Sequence, residues 1–303
     1  MKTVSLNVSA TLRNRKFISL LFVALLVTYV FPFPFISGFL QDYSRLKEIR
    51  ERMAQENDAI VCHNVFDVNP EFFGSHGMRC NDNYYRPDER TVTVDGLSVY
   101  RDTHHEYLDA KKNLRRELPP FVVFVVFVFL ALLWFSYAMV DFAVELSEGN
   151  ERRPFESMLS GLRSIPALVA SEILVFIAMI LVLILLAIPI ALLGPFGGFI
   201  AGLIASPAFA LVVPAYYFTK KIGPVGEIWR IAKGNPGGYF TLGLGLAVLE
   251  ALTALEYENY LGIGALFLML IVGGLRYLLS SLGALWVYLD TPPEENREEM
   301  QSV

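Results

Sequence analysis

Residues 165–193 read IPALVASEILVFIAMILVLILLAIPIALL, a run of 29 residues carrying one charge, Glu172. Helices and strands of soluble domains keep a polar face and do not stay apolar for so long. About 20 such residues cross the ~30 Å hydrocarbon core of a bilayer. This run therefore places the chain in a membrane. Working outward, further apolar runs cover 17–40, 119–143, a stretch ending near Phe218, 239–255 and 262–289. The sequence predicts an all-α polytopic membrane protein with six transmembrane helices. Composition agrees: 54% of residues are hydrophobic, 18% are charged and the mean hydropathy is +0.46, more apolar surface than a soluble fold of this size hides.

The remaining segments are polar. Residues 1–16 form a cytoplasmic N-terminus on this reading, and 17–40 a first helix bent at Pro32, a signal anchor rather than a cleaved signal peptide. Residues 41–118 predict a small α+β extracytoplasmic domain inserted between helices 1 and 2. It opens with a helix whose apolar stripe is Leu40, Tyr43, Leu46, Ile49 and Met53. TVTV-DG-LSVY then predicts a hairpin about Asp95–Gly96, and Asp102 or Thr103 caps a second helix. Residues 119–290 complete a five-helix membrane domain, and 291–303 form an acidic cytoplasmic tail.

Threading follows from lysine and arginine in the short loops. With both termini inside, the inner segments hold Lys2, Arg13, Arg15 and Lys16; Arg152, Arg153 and Arg163; Lys220, Lys221, Arg230 and Lys233; and Arg297. The short outer loops near 194–198 and 256–260 hold none. Lys111, Lys112, Arg115 and Arg116 dissent, but they belong to a segment longer than the ~60 residues over which the rule operates. The expected location is the plasma membrane. A net charge of −5, with no basic face interleaved with aromatics, excludes a nucleic-acid partner and leaves the bilayer and protein partners.

Three sets of residues carry chemistry. Cys62 and Cys80 share the insert with all four histidines, His63, His76, His104 and His105. A Cys62–Cys80 disulfide suits an oxidising exterior and a small domain with little core. The alternative is a zinc or copper site made by Cys62, His63, His76 and Cys80, at a spacing that is not a standard one. Glu172, Glu250 and Arg276 each sit inside an apolar run, where an unpaired charge is costly. By residue count Arg276 lies near the middle, so the expectation is one buried ion pair with Glu172 or Glu250, against a relay or a substrate counter-charge. Residues 224–233 make an interfacial helix with Val225, Ile228, Trp229 and Ala232 on one face and Arg230 and Lys233 beside them. Gly194, Gly198 and Gly202, four apart, predict close helix packing.

From about 140 to 242 the chain resembles a broad group of membrane proteins. NERRPFESMLSGLRSIPALVASEIL, LLAIPIALLGPF and PAYYFTKKIGPVGEIWRIAKGNPGGYF carry the likeness. It is similar to YciC-like proteins and to the membrane domain attached to some glycerophosphodiester phosphodiesterases. Gly223–Pro224, Trp229 and Gly234–Asn235 match the juxtamembrane pattern of that group, and Gly226–Glu227 departs from it. The resemblance implies a six-helix membrane domain without catalysis, since the phosphodiesterase chemistry resides in a soluble barrel that has no counterpart in this sequence.

No nucleophile elbow, phosphate-binding loop, HExxH pair or dinucleotide fingerprint appears, so no catalytic residue, enzyme activity or cofactor is expected. The leading expectation is a non-catalytic membrane scaffold or accessory subunit that contacts partner proteins or lipid. A permease-like subunit working with a separate ATPase is the first alternative, and an outward-facing metal-handling protein the second.

Overall fold

The computed structural model describes residues 8–71, 79–194, 196–259 and 263–292. Among them one two-stranded sheet is the exception to an otherwise helical architecture. Two compact units are formed, Pro34–Val125, and Met1–Phe33 with Val126–Val303.

The chain begins with α1 (Val8–Arg13) and α2 (Arg15–Leu25), which runs into a π-helical turn, Leu26–Val30. The helix stops at residues 31–32, where Pro32 and Pro34 withdraw two backbone donors, and α3 (Phe33–Val68) starts afresh. In the Pro34–Val125 unit, β1 (Thr91–Val94) pairs antiparallel with β2 (Leu97–Tyr100), Val92 opposite Val99. Asp95 and Gly96 have φ of 51° and 85°, the left-handed pair that a tight hairpin turn requires. The hairpin delivers the chain into α4 (Arg101–Ser147). Leu46, Ile49 and Met53 of α3, Val99 of β2, and Tyr107 and Ala110 of α4 make this unit's core. The predicted α3 stripe is thus buried from Leu46 onward, whereas Tyr43 is exposed. Helix α4 continues without a break through Pro119 and Pro120, where the sequence predicts the end of one helix and the start of a span.

The other unit contains α5 (Pro154–Leu185), α6 (Ala187–Leu192), α7 (Phe196–Thr219), α8 (Val225–Gly234), α9 (Pro236–Asn259) and α10 (Ile263–Leu278). A second π turn, Leu279–Gly283, leads to α11 (Ala284–Asp290). Four helical stretches are long and apolar enough to cross a membrane: Arg101–Ser147, Pro154–Leu185, Phe196–Thr219 and Phe267–Asp290. Arg15–Val30 with Phe33–Val68 makes a fifth if that broken pair counts as one span, and Pro236–Leu252 is a shorter apolar helix. These are the proportions of an all-α, multi-pass membrane protein, with four or five candidate spans where six were expected. The run at 165–193 also divides at Leu186, because Pro189 has no N–H for the Leu185 carbonyl that a continuous helix would present to it.

Helices meet closely at particular glycines. At Gly243 of α9 a Cβ would collide with the Leu203 carbonyl of α7, and at Gly161 of α5 it would lie 2.7 Å from the Trp134 carbonyl of α4. Trp134 Nε1 donates to the Met158 carbonyl across the same α4–α5 contact, at 2.6 Å. The glycines singled out by spacing are not the close ones. Gly194 and Gly198 have open space where a Cβ would stand, and the nearest atom to Gly202 is the Glu250 carboxylate. The first helix is held to α10 by a hydroxyl contact of 2.6 Å between Thr28 and Tyr277, and by Tyr29 lying over Gly273.

Candidate functional site

Five helices of the second unit line a cavity of about 400 Å³. Each presents one face to it at helical spacing: Phe129, Leu132, Leu133 and Ser136 from α4; Glu172, Ile173 and Phe176 from α5; Ser206, Phe209, Ala210 and Val213 from α7; Leu246 and Glu250 from α9. The fifth face is Arg276 at the end of α10 and Ser280 in the π turn after it. The three charges found separately along the sequence therefore converge on one apolar-walled space.

They do not neutralise one another there. Among the described residues no ion pair joins Arg276 to Glu172 or Glu250, contrary to the expectation of a buried pair. Glu250 accepts from the Ser206 hydroxyl at 3.3 Å. Glu172 is only 8% exposed, and no described residue gives its side chain a hydrogen bond. Ser280 turns its hydroxyl back onto the Arg276 carbonyl at 2.7 Å, leaving the guanidinium unengaged by that neighbour. A buried carboxyl group and an exposed guanidinium at the rim of one apolar-walled space, neither with a partner among the described residues, make a site with unmet binding capacity.

Helix α8 is amphipathic, but its faces differ from the expected ones. Ile228 and Ile231 are buried, while Trp229 and Val225 are exposed. Lys233 lies 4.9 Å from the centre of the Trp229 ring. Arg230 turns inward, donating to Glu227 at 2.7 Å and to the Pro292 carbonyl at 2.8 Å, while the Tyr288 hydroxyl donates to Glu227 at 3.0 Å. Burial works against charge on Glu227, but Arg230 and Tyr288 together hold its carboxyl below the ordinary range. Arg230 thus fastens α8 to the end of the last helix.

In the Pro34–Val125 unit Cys62 and Cys80 form a disulfide. Both thiolates of the alternative metal set are consumed by it. His63 instead stacks on Tyr85, ring centres 3.7 Å apart, and contacts Asp82 at 3.1 Å; His76 lies outside the described residues. His104 and His105 are neighbours on α4, and among the described residues no group of three His, Cys, Asp or Glu side chains is placed to hold a metal.

Two polar centres escaped the sequence reading. Glu56 of α3 accepts from the Tyr100 amide at 3.2 Å, the Thr103 hydroxyl at 2.7 Å and Arg86 at 3.1 Å. Its signal was its place in the stripe Ile49–Met53–Glu56–Ile60, an acid where the period calls for an apolar residue. Asp141, inside the run 119–143, is buried at the end of α4 with Arg152 at 3.1 Å, and Arg152 also reaches Glu145 at 2.8 Å. An aspartate in an apolar run is itself the signal. Lys220 caps the same end of the bundle, donating to the Tyr137 hydroxyl at 2.8 Å beneath the Tyr217 ring.

No protein-family model, no curated protein and no solved structure matches this chain.

Proposed function

We propose that this is a non-catalytic, multi-pass protein of the plasma membrane that binds a polar ligand within the bilayer, as an accessory or transport component. The observation that carries this reading is the convergence of Glu172, Glu250 and Arg276 on one cavity, with Glu172 buried and given no hydrogen bond by any described residue. A charge kept in a spanning helix without a structural partner costs several kcal/mol unless something else engages it. Both termini are cytoplasmic and residues 41–118 extracytoplasmic on this reading, which the loop charges and the Cys62–Cys80 disulfide of an oxidising exterior support. The broken first pair and the Pro236 helix complete six spans. The likeness to YciC-like proteins fits the same picture.

A permease working with a separate ATPase is the second reading, favoured by α8. This short amphipathic helix is clamped to the last span through Arg230 and Tyr288, the rigid attachment a coupling element needs. Purification in mild detergent with mass spectrometry of everything retained tests both. The expected result is a non-protein ligand retained by the wild type and absent from Arg276→Gln. Retention of an ATPase selects the second reading, and a ligand complement identical in the variant overturns the first. A membrane-impermeant maleimide on single-cysteine variants tests the threading: Ser44 and Ser98 variants should label in intact cells, and exclusive labelling at Ser157 would reverse it.

A further inference from the structure

We propose that the cavity is a headgroup site for a zwitterionic phospholipid bearing a primary amine, entering sideways from the bilayer. This rests on the ligand-binding reading above and names the ligand class.

The unmet groups define the charge pattern. Glu250 already has the Ser206 hydroxyl, so the side chains still short of partners among the described residues are Glu172 and Arg276. One is a carboxyl group and the other a guanidinium. A ligand that satisfies both carries an acid for the guanidinium and an amine for the carboxyl group on one frame. A guanidinium presents a planar fork of donors that matches phosphate oxygens in pairs. A carboxylate without donors needs N–H groups, and a primary ammonium offers three. A quaternary ammonium offers none, so it would leave Glu172 as unsatisfied as before.

Size and access define the rest. About 400 Å³ lies at the lower end of small-ligand pockets and is too little for a whole two-chain lipid. The acyl chains must therefore stay outside. Phe129, Ile173 and Phe176 line the cavity and are also exposed on the bundle surface, so the opening is walled by residues that face hydrocarbon. A water-soluble zwitterion would have no reason to arrive by that route. A lipid with its chains among those side chains, its phosphate at Arg276 and its amine at Glu172, uses every feature of the site.

The test uses the full-length protein in mixed micelles, with lipid retention read by native mass spectrometry. Dioleoylphosphatidylethanolamine, the matching phosphatidylglycerol, the matching phosphatidylcholine and chain-free glycerophosphoethanolamine are the probes. The amine lipid should be preferred over the other two about tenfold or more, the worth of one charge-assisted hydrogen bond, and the chain-free headgroup should not compete. Glu172→Gln should abolish the preference for the amine lipid over phosphatidylglycerol, and Arg276→Gln should weaken retention of both. Glu172→Asp keeps the carboxyl group and should keep the preference, which separates loss of chemistry from loss of fold. Equal retention of the amine and choline lipids overturns the proposal, as does competition by the chain-free headgroup. If a different ligand is retained and lost in Arg276→Gln, the lipid proposal fails while the ligand-binding reading stands. If no retention depends on either variant, both fail.

Discussion

Glu56 and Glu172 are both buried glutamates, one in each unit, and their surroundings are opposite. Glu56, 2% exposed, is saturated: a backbone amide from β2, a hydroxyl from the first turn of α4 and the Arg86 guanidinium all point at its carboxylate. It holds two helices and a hairpin in one arrangement. Glu172, 8% exposed, faces a cavity with no described residue bonded to its side chain. The difference separates a charge used to fix structure from a charge kept available. Burial alone does not tell them apart; the census of donors does.

The largest expected effect tests the saturated carboxylate. Glu56→Ala leaves Arg86, Thr103 and the Tyr100 amide without their common acceptor, and should cost about 3–5 kcal/mol. Limited proteolysis of the full chain should then cut first around the hairpin at 91–100; unchanged protection there would remove Glu56 from its structural role. Next comes the disulfide. Cys62→Ser should cost about 3 kcal/mol, the loop-closure value for a separation of 18 residues. Intact-mass analysis after alkylation should find two thiols in the wild type only after reduction, and thiols without reductant would contradict the bond.

A smaller effect of opposite sign tests the available carboxylate. Glu172→Leu removes a buried acceptor that no described residue satisfies, and should raise stability by about 1 kcal/mol in detergent while ligand retention is lost. A fall in melting temperature as large as that of Glu56→Ala would collapse the distinction. The smallest effect concerns Glu227, which stands between the two cases, partly exposed with Arg230 and Tyr288 as partners and Lys221 nearby. Its folded pKa is held below the unfolded value near 4.3, so its contribution is complete above that value and fades as pH falls through the folded pKa. The acid limb of a melting-temperature profile should be shallower in Glu227→Gln than in wild type, and identical limbs would deny the clamp on α8.

Much of this fold was legible because its signals are local. The hairpin came from Asp95–Gly96 between alternating runs, the first unit's core from the stripe through Leu46, Ile49 and Met53, and the membrane class from apolar length alone. What was not legible is tertiary. Residue counting puts Arg276 near the middle, within reach of either glutamate, so a pair is expected; the helices instead turn all three toward a shared space with no ion pair among the described residues. Spacing favoured Gly194, Gly198 and Gly202 as packing sites, but room for a neighbour depends on the backbone opposite, and that backbone meets Gly243 and Gly161. The reach of Arg230 to the Pro292 carbonyl links residues 62 apart, which no pattern on α8 alone reveals.

The π turn at Leu279–Gly283 separates two jobs on one continuous helix. Before it, Arg276 faces the cavity; after it, Ala284, Leu285 and Tyr288 are buried in the bundle. A π turn holds one residue more than the regular helix it interrupts, and each residue of an α-helix advances the azimuth by about 100°. Deleting a single residue from this turn would restore the regular winding without shortening the helix appreciably. Because the wide turn absorbs its extra residue, Arg276 would keep nearly the same bearing on the residues packed below it. The wide turn is therefore the place on this helix where a one-codon deletion can be absorbed, whereas the same deletion in the regular helix just after it would turn Arg276 by about 100° against the residues beyond.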